Sequence, residues 1–160
     1  MTLTRRHLLG GRVEPPPPPP LPRPPWMAEP SACTFCGLCA RACPEGIVTT
    51  GGLPAIEFHA ACTFCGACAE ACPEPVFDRG LPPFRHRVLL GEGCLPRLGV
   101  TCGSCADICP EAAIRLRPRL GGPPLPALDA AACTGCGACL AACPGDAILI
   151  LPAEEPPRHG

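Results

Sequence analysis

The cysteines decide what this chain can fold into. Cys33, Cys36, Cys39 and Cys43 stand in the spacing C-x2-C-x2-C-x3-C, and Pro44 closes the run. Cys62, Cys65, Cys68 and Cys72 repeat it before Pro73, and Cys133, Cys136, Cys139 and Cys143 repeat it before Pro144. A fourth copy, ending at Pro110, keeps Cys102, Cys105 and Cys109 but has Gly99 where its first cysteine should stand. Cys94, five residues earlier, leaves the spacing C-x7-C-x2-C-x3-C-P. Thiolates this close together must converge on one centre, and the regular spacing wraps a short loop around a cubic [4Fe–4S] cluster.

All 16 cysteines fall into these groups. A secreted disulfide scaffold scatters its cysteines, and thiols two residues apart are poorly placed to bridge one another. Zinc ribbons use two separated C-x2-C pairs, so the third cysteine and the terminal Cys-Pro argue for iron and sulfide. Four [4Fe–4S] clusters are expected, with a labile or three-iron cluster at the irregular copy as the alternative. The sequence has one Trp and no Tyr in 160 residues, so the clusters must supply much of what holds the fold.

In two-cluster ferredoxins the fourth cysteine of one motif serves the other cluster. Applied to neighbouring copies, this gives the sets Cys33, Cys36, Cys39 with Cys72, and Cys62, Cys65, Cys68 with Cys43. In the second half it gives Cys94, Cys102, Cys105 with Cys143, and Cys133, Cys136, Cys139 with Cys109. A nested pairing, copy one with four and two with three, stays open, although the short separation within each half favours neighbours. Prolines after the fourth cysteines end each turn. Gly37, Gly66, Gly103, Gly135 and Gly137 let backbone approach a cluster and donate N–H···S bonds.

The fold class that follows is small α+β and metal-dominated. Two bacterial 2[4Fe–4S] ferredoxin-like units stand in tandem behind a disordered proline-rich N-terminus. The expected divisions are residues 1–30 as tail and proline-rich spacer, 31–80 as unit one, 81–92 as linker, 93–152 as unit two and 153–160 as tail. LCARAC and ACAEAC (38–43 and 67–72) suit single helical turns. Residues 47–50, 55–58, 113–120 and 147–151 suit short strands. Arg115, Arg117 and Arg119 alternate along the third of these. They read as a solvated edge, with docking to an acidic partner as the alternative. Trp26 is expected to pack on unit one. His86 reads as a solvated linker residue, and His59 as a candidate for tuning a cluster by hydrogen bonding.

The remaining features mostly exclude. Net charge is −1, which gives no nucleic-acid reading. All 13 basic residues are arginine, which reads as compositional bias. No apolar run reaches the roughly 18–20 residues of a membrane span. Arg5-Arg6 with Leu8-Leu9 resembles the start of a twin-arginine export signal, but Gly10, Gly11, Arg12 and six prolines replace its apolar segment. A basic tail, a relic or a decoy that binds a partner fits better than a cleaved signal. No paired carboxylates, nucleophile–base set, phosphate loop or flavin motif accompanies the cysteines. Every thiol has a cluster role, so an independent enzyme is not expected.

TRRHLLGGR, a proline-containing lead, two regular motifs, the irregular TCGSCADICPEAAIRLRPR copy and a regular last motif together resemble the NapF family. These are ferredoxin-type accessory proteins of the periplasmic nitrate reductase system. The likeness covers residues 2–151; the long proline run departs from it. It implies a cytoplasmic iron–sulfur protein that associates with the molybdenum-containing catalytic subunit of that reductase before export and assists its maturation. The alternative from another class is the electron-relay subunit of a membrane-associated oxidoreductase. A cluster-storage or redox-sensing protein is a third reading.

Overall fold

A computed structural model of the protein describes residues 21–151. The arginine pair, the six-proline run and the C-terminal tail lie outside the described residues.

Each half repeats one plan. In unit one a 3₁₀ turn (Pro30–Ala32) leads into the first cysteine loop and α1 (Leu38–Ala42). The short strands β1 (Val48–Thr49) and β2 (Ala55–Ile56) pair antiparallel, Val48 opposite Ile56. The second loop and α2 (Ala67–Glu70) follow. In unit two β3 (Arg87–Leu90) precedes α3 (Ser104–Asp107), the hairpin β4 (Ile114–Arg119) and β5 (Gly122–Leu128), α4 (Ala138–Ala141) and β6 (Ile148–Leu151). β4 and β5 pair from Ile114 opposite Leu128 to Arg119 opposite Gly122, with a register shift between Arg117 and Arg119. The turns and strands expected from the cysteine loops, from 47–50, 55–58, 113–120 and 147–151, are therefore present.

Two segments differ from the expected divisions. Residues 87–90, expected within the linker, form β3 and pair antiparallel with β6, Arg87 opposite Leu151 and Leu90 opposite Ile148. Residues 21–30, expected within the disordered tail, close unit one in the same way. Met27 bridges antiparallel to Phe77, and Ala28 N–H donates to Val76 C=O at 2.9 Å. Pro24 and Pro25 are buried, and Ile56 N–H donates to Pro22 C=O at 2.7 Å. In both halves a strand before the first cysteine pairs with one after the last, around a central hairpin. The physical reason is that a two-residue hairpin such as β1–β2 cannot bury its own apolar face and needs a second ribbon beside it.

The cores are small and include the ligand-type side chains themselves. Ile47, Val48 and Ile56 pack with Cys39 and Cys68, flanked by Phe58, Phe77 and Phe84. Val88, Ile114 and Ile148 pack with Cys139, flanked by Leu90, Leu128 and Leu140. Aliphatic β-branched residues dominate both, as half-buried short strands require.

Candidate iron–sulfur centres

Short loops with left-handed glycines aim the thiols. In the three regular copies the residue after the second cysteine is Gly37, Gly66 or Gly137, with φ of 72°, 81° and 81°, and it opens the helical turn that carries the third cysteine. A side chain there would strain the backbone. In the irregular copy Gly103 lies at φ −138°, so that turn is entered differently.

Three cavities are ringed by cysteines. Cys62, Cys65 and Cys68 line one together with Cys43, Trp26 and Phe64. Cys94, Cys102 and Cys105 line one together with Cys143, Pro96 and Pro126. Cys133, Cys136 and Cys139 line one together with Cys109. At the first motif Cys33 and Cys72 stand close enough to Cys39 to raise its pKa, while Cys36 is exposed. The cysteines that share a cavity are those of neighbouring copies. Cys143, which a nested pairing would bring to the first motif, lines the cavity of the third.

Among the described residues no three His, Cys, Asp or Glu side chains converge tightly enough to hold a single metal ion. Four thiols set around one space without converging on a point fit a polynuclear group instead. Each space is lined by four cysteines, and soft thiolates in that number suit iron and sulfide. A [4Fe–4S] group bound there would supply one-electron storage. Backbone already turns toward one of these sulfurs: Ala147 N–H donates to Cys143 Sγ at 3.3 Å.

Protonation opposes loading. Burial, and secondly the Cys62, Cys43 and Cys65 sulfurs, push the Cys68 thiol up to about 11. Burial, then Cys133, Cys136 and Cys105, push Cys139 up to about 12. Cys39, Cys62, Cys105 and Cys133 are raised chiefly by burial as well. Metal-free chains therefore hold these thiols neutral, and loading must release their protons.

The irregular copy reaches its cavity by a turn of its own. After Cys94 the chain coils once: Leu98 N–H returns to Cys94 C=O at 3.3 Å and Gly99 N–H to Pro96 C=O at 3.3 Å. Val100 N–H then closes back onto Leu95 C=O at 2.9 Å, with Gly99 at φ +86°. This is a Schellman closure, and it makes five extra residues compact rather than slack. It carries Cys94 to the wall of the cavity.

The halves meet at the second and fourth motifs. Cys62 N–H donates to Cys136 C=O at 2.8 Å. The Phe58 ring lies on Gly137, where a Cβ would stand 1.9 Å from its Cδ1. His86 bonds Gly135 C=O through Nε2 at 3.0 Å and stacks at 4.7 Å on Phe84. His86, expected in solvent, is half-buried here, because the Phe58–Phe84 pair recruits its apolar face. His59 is exposed. Trp26 packs on unit one edge-to-face with Phe64, at 6.4 Å, with the Arg79 guanidinium 5.3 Å above it. His86 directly precedes β3 and lies 49 residues from Gly135, so no local sequence signal marks its contact with that carbonyl.

The paired ribbons and the cysteine-lined cavities define a tandem ferredoxin of the [4Fe–4S] dicluster class. A family described as "4Fe-4S dicluster domain" matches residues 32–77, and a second of the same description matches 100–147. The curated "Ferredoxin-type protein NapF" of Haemophilus influenzae is 40% identical over 136 residues, covering 80% of this chain and 77% of that protein. Its namesake in Escherichia coli K12 is 41% identical over 153 residues, covering 91% and 92%. The chain belongs to the NapF family of ferredoxin-type iron–sulfur proteins. No helix among the described residues is long and apolar enough to cross a membrane.

Proposed function

We propose that this chain carries four [4Fe–4S] clusters and serves the periplasmic nitrate reductase system from the cytoplasm. In this reading it binds the molybdenum-containing catalytic subunit before export and assists its maturation by handing over electrons or by iron–sulfur chemistry. It is a carrier and accessory protein rather than a catalyst. The ligand sets are Cys33, Cys36, Cys39, Cys72; Cys62, Cys65, Cys68, Cys43; Cys94, Cys102, Cys105, Cys143; and Cys133, Cys136, Cys139, Cys109. The single observation that carries the reading is likeness to NapF proteins along 91% of the chain. The cysteine-lined cavities support three of the ligand sets, the closeness of Cys33 and Cys72 to Cys39 supports the other, and two dicluster matches support the number.

The test is an anaerobic pull-down from cytosol with the clusters intact. Intact protein is expected to contain about sixteen iron atoms per chain and to capture the unexported catalytic subunit. Deleting residues 1–12 is expected to lower capture without lowering iron. Recovery of a membrane dehydrogenase or quinol-oxidising subunit instead would move the reading to a general electron relay.

A further inference from the structure

The hairpin β4–β5 supplies Pro126 to the wall of the third cavity, and one of its exposed arginines is tied down by two hydrogen bonds to backbone carbonyls. The register shift between Arg117 and Arg119 adds its extra residue on β5, between Gly122 and Leu125. The Arg119 guanidinium donates through Nη2 to Pro96 C=O at 2.7 Å and through Nε to Pro123 C=O at 3.0 Å. One contact lies on the extra turn after Cys94, the other on the hairpin itself.

Pro96 is among the most fully buried side chains of the molecule and lines the third cavity beside Cys94. Its carbonyl also receives Gly99 N–H, the bond that closes the turn. Gly122 stands opposite Arg119, and a Cβ there would meet the guanidinium at 2.7 Å. The space is thus kept for the arginine. Pro126, from the same hairpin, forms another part of the cavity wall.

We propose that Arg119 is the positioning residue that clamps the Cys94 turn and so completes the third cluster site. The regular copies need no such clamp, because their first cysteine is three residues from the second. Cys94 is eight residues from Cys102, and its turn has exposed Leu98 and Val100 on its outer side. A charged, two-point hydrogen bond holds that turn against the hairpin. Without it Cys94 is the ligand freed first. A [4Fe–4S]2+ cubane that loses that iron as Fe2+ leaves [3Fe–4S]0, and ferricyanide added in the test takes one electron from it to give [3Fe–4S]+. The inference rests on the reading that the third cavity holds a cluster.

The test uses the full chain purified anaerobically as wild type, Arg119→Ala, Arg119→Lys, Gly122→Ala and Arg117→Ala. Iron and sulfide per chain are counted. Electron paramagnetic resonance is recorded on the ferricyanide-oxidised protein, where intact [4Fe–4S] groups are silent and a three-iron group is not. Wild type and Arg117→Ala are expected to be silent with full iron. Arg119→Ala is expected to give a three-iron signal and to release iron to a chelator about tenfold faster. Gly122→Ala, which only displaces the guanidinium, should move the same way by less, and Arg119→Lys should restore part of the loss. If Arg119→Ala is silent, full of iron and no faster to release it, the proposal is overturned. If wild type itself lacks a quarter of the expected iron, the four-cluster reading fails instead.

Discussion

Two glycines with nearly the same backbone separate two kinds of constraint. Gly99 lies at φ +86° and Gly137 at φ +81°. A Cβ on Gly99 would meet nothing within 4 Å, whereas one on Gly137 would fall inside the Phe58 ring. Gly99→Ala therefore carries only the cost of an L-residue in the left-handed region, about 1–2 kcal/mol. Gly137→Ala carries that cost and must also expel Phe58 from the contact between the halves. The expected order is wild type, then Gly99→Ala, then Gly137→Ala. It is read as the rate at which guanidinium bleaches the visible cluster absorbance, since unfolding that loses a metal group is irreversible. Equal rates for the two variants would mean that Phe58 moves aside freely. The left-handed Phe35 and Phe64, at φ 56° and 55°, occupy in their motifs the place that Gly135 fills in the fourth. Backbone geometry at that place is thus set by the loop and not by the residue.

At the scale of elements, β3 is the piece on which unit two closes. Val88 is buried against Ile114, Cys139 and Ile148, and its strand pairs with the last strand of the chain. Val88→Asp places a charge in that core at a cost of about 3 kcal/mol or more. The expected result is selective: roughly half the iron is lost, while unit one keeps its own. Iron counting together with limited proteolysis of the two halves checks it. Loss of all iron would mean that the halves do not load independently. The cysteine loops, their helical turns and the hairpins were legible because spacing and alternation are local. β3 and the Met27 bridge were not. RVLL follows Arg85-His86 and two prolines, and Met27 follows a proline run, so composition reads both as linker. What makes them strands is a partner more than 45 residues away. Arg119 escaped for a related reason, since the carbonyl it holds, that of Pro96, lies 23 residues away on the irregular turn. The cavity cysteines were nameable in advance because metal chemistry fixes their spacing, while the contacts between halves follow no spacing rule.

At the scale of the whole molecule, the two units are joined where their inner cysteine groups face each other. The Cys62–Cys136 hydrogen bond lies at the centre, with Phe58, Phe84 and His86 packed around it. Close approach of the second and fourth motifs is what one-electron exchange between halves needs, so the stability of this contact bears on the whole chain. His86 makes that stability sensitive to pH. Burial lowers its pKa below the ordinary value of 6.5, and the bond to Gly135 C=O only partly opposes the shift. Neutral imidazole is therefore the native form, with Nε2–H donating to the carbonyl. Above about pH 6.5 the histidine is neutral in folded and unfolded chains alike, and the contact has its full strength. As pH falls below that value the unfolded chain binds the proton first, so stability declines until the native pKa is passed. Bleaching rates between about pH 5.5 and 7.5 are expected to rise toward acid in wild type. His86→Gln retains a donor without a titrating group and should flatten that rise, at the cost of somewhat faster bleaching at neutral pH. An identical acid slope in the variant would assign the pH dependence to the cysteine groups themselves and leave His86 a packing residue only.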